Sequence, residues 1–497
     1  PVGAALEPRI DTDAILTELS RTLPDYMVPS QLLTLEQLPL TPAGKVDRKA
    51  LPEPQWQTTS QGEPPQTDNE KILADIWQPL LGVDNVSRDD HFFALGGDSI
   101  LALQIVSKAR QQGLALTPKD LFEQPTLRAL AAAARVVTGN AASQEPLSGP
   151  VGLLPIQQRF IEQRGLSLCN QYIHFSVQDA FDPERLEAAL QMLEAQHDAL
   201  RLRFSATDPQ QAECLAESTR PLLQVVEARS ESDISHAMAA AQGGLGPADG
   251  KVLQALYIVG DAPQLLLTLH HLAVDGVSWR ILLEDLFSAY QQLQQGGDAS
   301  LPRKTHNLQD WRQALNQHFV PEAEKELPYW QQATQTLAPL FPVHQDSGPA
   351  RFECQTDAKT LRRWVKSADR YASLNLEEFL LIALAGTLAD YCGRDTVRIH
   401  RESHGRADSH AGLDLSRTVG WFTSLYPQRL DCQGDLAASI KWQKEQLRQP
   451  GHGGLGYGLL CQQGKLADAD HHLDVLFNYL GRFRHDSLPG VSVKEMG

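Results

Sequence analysis

Cysteine is scarce: six in 497 residues, at 169, 214, 354, 392, 432 and 461, with no CxxC pair among them. That scatter argues against a zinc ribbon or a disulfide framework and suits reduced core thiols in a cytosolic protein. No apolar run reaches about 18 residues, so no membrane span is expected. Excess positive charge is also missing. Against 61 Asp and Glu stand 44 Lys and Arg, a net charge of −17. Nucleic acid and anionic membrane would be repelled by such a surface, so neither is expected as a partner. The start, "PVGAALEPRIDTDAILTELS", lacks both Met and the basic-then-apolar order of a signal peptide. A cytoplasmic location is the expectation.

What is present is ordinary for a globular chain: 42% hydrophobic and 21% charged residues. Two stretches read as linkers, "EPQWQTTSQGEPPQTD" (53–68) and "TGNAASQEPLSGP" (138–150). Neither can bury much apolar surface. They set off a short N-terminal piece, a middle unit of roughly 70 residues, a size that can fold alone, and a large C-terminal unit. The middle unit reads as helical. "EKILADIWQPLLG" has apolar residues at helical spacing with Gly82 as its stop, "DSILALQIVSKARQQG" repeats the pattern, and "TLRALAAAARV" has Thr126 as a cap. The large unit mixes elements. "QLLLTLHHL" and "DTVRIHRES" are strands, "SWRILLEDLFSAYQQLQQ" is an amphipathic helix, and "LEEFLLIALAGTLADYCG" is a buried helix ending at Gly393. Such a mixture implies α/β or α+β layers.

Two local patterns carry chemistry. "HHLAVDGVSW" (270–279) ends an apolar run with adjacent histidines. Neighbouring strand residues point to opposite faces, so His270 and His271 cannot easily share one metal ion. One is expected to pack inside and the other to face a cleft. No metal site is expected. In "FFALGGDSILALQIV", Ser99 stands at a helix start, where backbone N–H groups and the helix dipole favour a phosphate. The same position also suits a plain N-cap.

Longer strings resolve these choices. "DDHFFALGGDSILALQIVSKAR" resembles the phosphopantetheine-attachment motif of peptidyl carrier domains in nonribosomal peptide synthetases, D-x-F-F-x-L-G-G-x-S-[IL]. The resemblance covers residues 69–137. It implies that Ser99 carries a 4′-phosphopantetheine arm holding an amino acid or peptide as a thioester. "GGDS" is typical of carriers that precede an epimerization domain. "LPDYMVPSQLLTLEQLPLTPAGKVDRKALP" (23–52) resembles the end of an adenylation domain, with Lys45 matching the lysine that reaches the acyl-adenylate. The nucleotide-binding core is not in this chain, so residues 1–52 are expected to be inactive in adenylation.

The large unit resembles the condensation superfamily. HHxxxDG matches its active-site motif, with His271 as the functional histidine and His270 supporting; Asp275 in that family holds the loop and is typically paired with an arginine, and Arg406 is among the supporting residues. "RESHGR" (401–406) resembles the epimerization motif E-G-H-G-R, with Glu402 at the acidic position and Ser403 in place of glycine. Serine there demands a negative φ or local strain. "FNYLGR" (477–482) matches F-N-Y-L-G, with Asn478 and Tyr479 at a strand end. Condensation domains generally lack that string. "PIQQRF", "HDALRLRF", "RTVGWFTSLYP" and "PGHGGLGYG" complete the set, with His197 structural.

The resemblance implies a multidomain chain: a small α/β adenylation fragment (1–52), a four-helix-bundle carrier domain (69–137) and an α/β epimerization domain (151–497). The last would have two chloramphenicol-acetyltransferase-like lobes, about 151–335 and 345–497, set in a V. The family's domain normally continues past F-N-Y-L-G, so closure of the second lobe in this chain is an open expectation. His271 and Glu402 would act on opposite faces of the substrate Cα, and Tyr479 would stabilise the charge that develops on the thioester carbonyl. Implied partners are the aminoacyl or peptidyl thioester, an adenylation core upstream, a condensation domain downstream and a phosphopantetheinyl transferase. Two rival readings remain: condensation of two carrier-bound substrates, and a non-catalytic module that docks carriers.

Overall fold

The computed structural model describes residues 62–497, except 93–94, 96, 98, 137–141, 218–219, 229, 261, 336–338, 342–350, 373, 407–412, 468–473 and 480–489. The adenylation-like piece with Lys45 lies outside the described residues.

Helix α1 (Asp68–Leu81) begins at Thr67. Its hydroxyl accepts from the Glu70 N–H at 3.2 Å, and the Glu70 carboxylate accepts from the Thr67 N–H at 3.3 Å. That reciprocal cap satisfies two donors the first turn would otherwise leave open. The helix stops at Gly82, whose φ of 67° suits glycine. Helix α2 (Ser99–Gln111) follows, then a short α3 (Pro118–Glu123) and α4 (Leu127–Ala133) capped by Thr126. The strands β1 (Leu114–Ala115) and β2 (Arg135–Val136) pair beside them. Leu73, Trp77, Phe92, Ile105, Leu121, Leu127 and Leu130 form one core from all four helices and the loop before α2. Periodicity does not foresee helix α3. Six residues are too few to show a period, and its signal is the reciprocal cap between Thr117 and Asp120.

The large unit opens with β3 (Gly149–Val151), α5 (Pro155–Arg164), β4 (Asn170–Val177) and α6 (Pro183–Gln196). Then come β5 (Leu202–Phe204), β6 (Ala212–Cys214), β7 (Leu223–Glu227), α7 (Glu231–Gly243), β8 (Leu253–Val259), β9 (Gln264–His270) and the long α8 (Gly276–Gln294). Helices α9 (Leu308–Ala314), α10 (Val320–Ala333), α11 (Ala358–Ala372) and α12 (Leu376–Cys392) lead to β10 (Thr396–Ser403). After β11 (Ser424–Asp431) come α13 (Leu436–Arg448), α14 (Leu455–Gln462), β12 (Leu476–Phe477) and β13 (Val491–Met496). A five-stranded sheet runs β13-β4-β9-β8-β7, a second runs β11-β10-β12, and β3-β6-β5 form a third.

Three expectations need correction. The strand "QLLLTLHHL" ends at His270, and His271 opens a 3₁₀ turn to Ala273, so strand alternation does not orient His271. Helix α12 is not buried all round. Leu381, Ile382, Ala385 and Ala389 form its buried face, while its opposite side is exposed or half-buried. Finally, β13 does not stay with residues 345–497. It pairs antiparallel with β4, from Val491 opposite Val177 to Met496 opposite Ile173, and so completes the edge of the first sheet. An open edge would leave the β4 N–H and C=O groups unpaired, and the chain end covers them.

Helix α2 meets the large unit through Arg110 and Asp414 at 3.7 Å and Lys108 and Glu284 at 3.5 Å. Partly exposed pairs of this kind contribute about 0–1 kcal/mol each. Among the described residues no helix is long and apolar enough to cross a membrane.

Candidate active site

Strand β9 is buried along its whole length, so it carries its last residue into the core. His270 is 0% exposed. Its Nε2 lies 3.2 Å from the Ser167 carbonyl oxygen and donates to it, while its Nδ1 accepts from the Leu272 N–H at 3.3 Å. Both nitrogens are satisfied by backbone in the neutral ring. Burial pushes its pKa down to about 4. His270 therefore serves the fold. A consequence follows for acid stability. The ordinary histidine value is 6.5, so this group's contribution is complete above pH 6.5 and is lost as pH falls from 6.5 towards 4. Denaturant titration at pH 7 and pH 4.5 should show a loss of on the order of 3 kcal/mol from this residue. His270→Gln, which does not titrate, should flatten that slope. An unchanged slope in the variant would show that His270 is not the sensor.

His271 is half-buried and stands one turn before α8. Its Nδ1 lies 2.9 Å from the Val274 carbonyl oxygen, and its Nε2 lies 3.1 Å from Nε2 of Gln171 on β4. The Trp421 ring stacks on it with centroids 4.0 Å apart. Burial holds its pKa below the usual histidine value.

Asp275 is the N-cap of α8 and the hub of the loop. Its Oδ1 accepts from the Ser278 N–H and hydroxyl, both at 2.8 Å. Arg406 grips both oxygens, Nη1 to Oδ2 at 2.7 Å and Nη2 to Oδ1 at 3.1 Å. The Phe422 N–H donates to Oδ2 at 3.0 Å. Burial alone would raise this carboxyl, but the Arg406 charge and the hydrogen bonds outweigh it, and the net pKa lies below the usual carboxylate range. Arg406 also donates to the Thr418 carbonyl at 3.1 Å and lies 4.4 Å over the Phe422 ring. The pair thus fastens the loop before α8 to the segment 418–422, which carries Trp421 over His271.

The glycine-requiring position in "RESHGR" is Gly405, at φ 63°, where an added Cβ would fall 1.7 Å from the Phe422 carbonyl oxygen. Ser403 is ordinary extended strand opposite Ser424, so of the two alternatives open to serine there the negative φ holds. The segment "RESHGR" therefore keeps its geometry with serine at this place.

Glu402 lies one residue before the end of β10 and is half-buried. The parallel pairing of Arg401 with Phe477 sets Asn478 beside it, and the Asn478 amide donates to Glu402 Oε2. Burial, and then the Asp275 charge, raise the Glu402 pKa above the usual value. Tyr479 is half-buried and follows Asn478 directly. Among the described contacts, none joins His271 directly to Glu402. Both lie within the electrostatic reach of Asp275. His197 is buried and bonded to Asp285 at 2.9 Å, well suited to a structural role.

Ser99 is the first residue of the 13-residue α2, and no acidic side chain stands in that first turn. Gly97 packs so closely on Phe92 that an added Cβ would lie 2.3 Å from the ring. Such a helix start suits the phosphate of a phosphopantetheine arm, which supplies the thiol for a thioester.

Sequence reasoning missed Gln171 and Trp279, and Trp421, buried in the core, also stacks on His271. Gln171 sits a hundred residues from His271 and reaches it only because β4 pairs with β9, with Gln171 opposite Leu269. No local pattern announces such a partner.

The family model "Condensation domain" matches residues 148–495, and "Phosphopantetheine attachment site" matches residues 71–134. Surfactin synthase subunit 1 of Bacillus subtilis (strain 168) is 38% identical over 512 residues, covering 97% of this chain and 14% of that protein. A linear gramicidin synthase of Brevibacillus parabrevis is 39% identical over 502 residues, covering 95% and 10%. The chain thus spans a small part of these relatives. Among solved structures, the epimerization domain from the third module of tyrocidine synthetase B aligns with a TM-score of 0.60 and 29% identity, over 72% of this chain and 86% of that one. The condensation domain of the Monacolin K polyketide synthase shares the fold at a TM-score of 0.56 and 16% identity, over 71% of this chain and 86% of that one. The chain belongs to the condensation-domain family, joined to a phosphopantetheine-bearing carrier domain in the manner of nonribosomal peptide synthetases.

Proposed function

We propose that the large domain epimerizes the aminoacyl or peptidyl thioester carried on Ser99, converting the L form to the D form. The observation that carries this reading is Glu402. It is a carboxyl with a raised pKa, held at the end of β10 by Asn478, in a family whose histidine motif lies on the neighbouring loop. Inverting a carbon needs one group to remove a proton from Cα and another to deliver one from the opposite face. His271 is pushed towards the neutral form and Glu402 towards the protonated form. The two pKa values are drawn together, which suits exchange of a proton in both directions. In this reading His271 Nε2 and Glu402 move the proton at Cα, and Tyr479 steadies the charge that develops on the thioester carbonyl. Asp275 and Arg406 hold the loop.

The finer architecture belongs to the same proposal. Residues 1–52 end an adenylation domain, 69–137 form a four-helix-bundle carrier, and 151–497 form two lobes in a V, with β13 returning to the first. An adenylation core acts upstream and a condensation domain downstream.

The test loads Ser99 from an L-aminoacyl coenzyme A with a phosphopantetheinyl transferase. Released acyl groups are then resolved by chirality and length. A mixture of enantiomers of unchanged length is the expected result. Offering a second aminoacyl carrier and recovering only a longer acyl chain would favour condensation instead. Ser99→Ala should abolish loading, and loading that persists would overturn Ser99 as the attachment site.

A further inference from the structure

The tautomer of His271 is fixed by a run of hydrogen bonds, each with one possible direction. The Trp279 indole N–H, a donor only, lies 2.8 Å from the Gln171 Oε1. The Gln171 carbonyl is therefore turned to Trp279 and its amide NH₂ to His271. That amide lies 3.1 Å from His271 Nε2 and can only donate to it. His271 Nδ1 faces the Val274 carbonyl oxygen at 2.9 Å, which can only accept. The order is Trp279 to Gln171 to His271 to Val274. Nδ1 bears the proton and Nε2 presents its lone pair. The Trp421 ring, stacked at 4.0 Å, restrains the imidazole from swinging away.

We propose that Gln171, oriented by Trp279, is a positioning residue that holds His271 as the neutral Nδ1–H tautomer and opposes its protonation. The proposal rests on the reading of His271 as a proton-moving group. Protonation would set an N–H on Nε2 against the Gln171 NH₂, donor against donor. When Nε2 takes the Cα proton, the electron pair of the C–H bond stays with the acyl group and the amide loses its acceptor. The resulting imidazolium is a stronger acid than an exposed one, so it gives the proton up readily. Gln171 thereby keeps the histidine poised to act in both directions.

Other titratable groups act on this ring. Asp275 favours its protonation, and the His271 charge in turn opposes protonation of His270 on the same segment. From the packed elements, the Cys169 carbonyl accepts from the His271 N–H, and the Cys169 thiol is raised by burial. Glu402, His404 and Arg406 at the end of β10 act through the same Asp275. None of these side chains bonds to either ring nitrogen, so Gln171 is the side chain whose exchange should move the tautomer.

The experiment is nitrogen NMR of the histidine-labelled chain, residues 1–497, beside the pH profile of epimerization. Wild-type His271 should show a protonated Nδ1 and an unprotonated Nε2 at neutral pH. In Gln171→Glu the carboxylate accepts from an Nε2–H. The His271 pKa should rise by about 1–3 units, and the acidic limb of the rate profile should rise with it. Trp279→Phe, which leaves the amide able to turn over, should mix the tautomers and lower kcat by about tenfold or more with little change in KM. A wild-type ring protonated on Nε2, or folded variants with unmoved His271 pKa and tautomer, would overturn the proposal. A wild type that does not epimerize at all would sink the functional reading, while the tautomer measurement would still decide the role of Gln171.

Discussion

His271→Ala should lower L-to-D conversion by about 10²–10⁴-fold, the range for loss of a general acid–base group. Stability should change by no more than about 1–2 kcal/mol, because the half-buried ring makes one backbone hydrogen bond, one hydrogen bond with the Gln171 amide and one stacking contact in the fold. Nδ1 is committed to the Val274 carbonyl, so Nε2 is the nitrogen left for chemistry, and among the described residues the Gln171 amide is the group that meets it. Chiral analysis of the released acyl group beside thermal melting makes the comparison. Normal epimerization in the variant would reduce the HHxxxDG segment to a structural element. An early-melting variant would mean that the ring serves packing first.

Asp275→Ala should behave in the opposite way. It should cost about 3–5 kcal/mol, because Arg406 would be left buried without its counter-charge. The variant also removes the acceptor for the Ser278 and Phe422 N–H groups and the N-cap of α8. Loss of activity should follow from the fold, since the same carboxylate ties residues 418–422 to α8 and so sets Trp421 over His271. Asp275→Asn should retain part of the capping while losing the charge pair, and so fall between wild type and alanine. Equilibrium unfolding of the three proteins gives the order. A stable, fully folded Asp275→Ala that has lost epimerization would instead give Asp275 a direct part in the chemistry.

The parts of this molecule legible in its sequence are those written in local strings. Gly82 and Gly393 stop α1 and α12 where periodicity ends, both at positive φ, and Thr126 caps α4. That Asp275 pairs with an arginine is expected from motif resemblance, and the structure identifies that arginine as Arg406, in a bidentate contact across 131 residues. What the sequence does not show depends on distant pairing. Strand β13 joins the first sheet because β4 has an open edge, a fact about tertiary structure that no string of six residues records. The end of β9 at His270 is set by the turn that lets Leu272 bond back to the His270 ring. Gln171 becomes a neighbour of His271 only through the register of β4 against β9. The apolar composition of α12 suggests burial on all sides, but its neighbours cover one face and leave the other open.

The most direct measurement of the central claim is deuterium exchange at Cα. The chain is loaded on Ser99 with a single L-aminoacyl enantiomer in D₂O, and the released amino acid is resolved by chirality and weighed by mass spectrometry. The expected result is D product carrying one deuterium at Cα, formed by the wild type and suppressed in both His271→Ala and Glu402→Gln. Unchanged L amino acid with no Cα deuterium, from a folded and fully loaded wild type, would contradict proton exchange at this site.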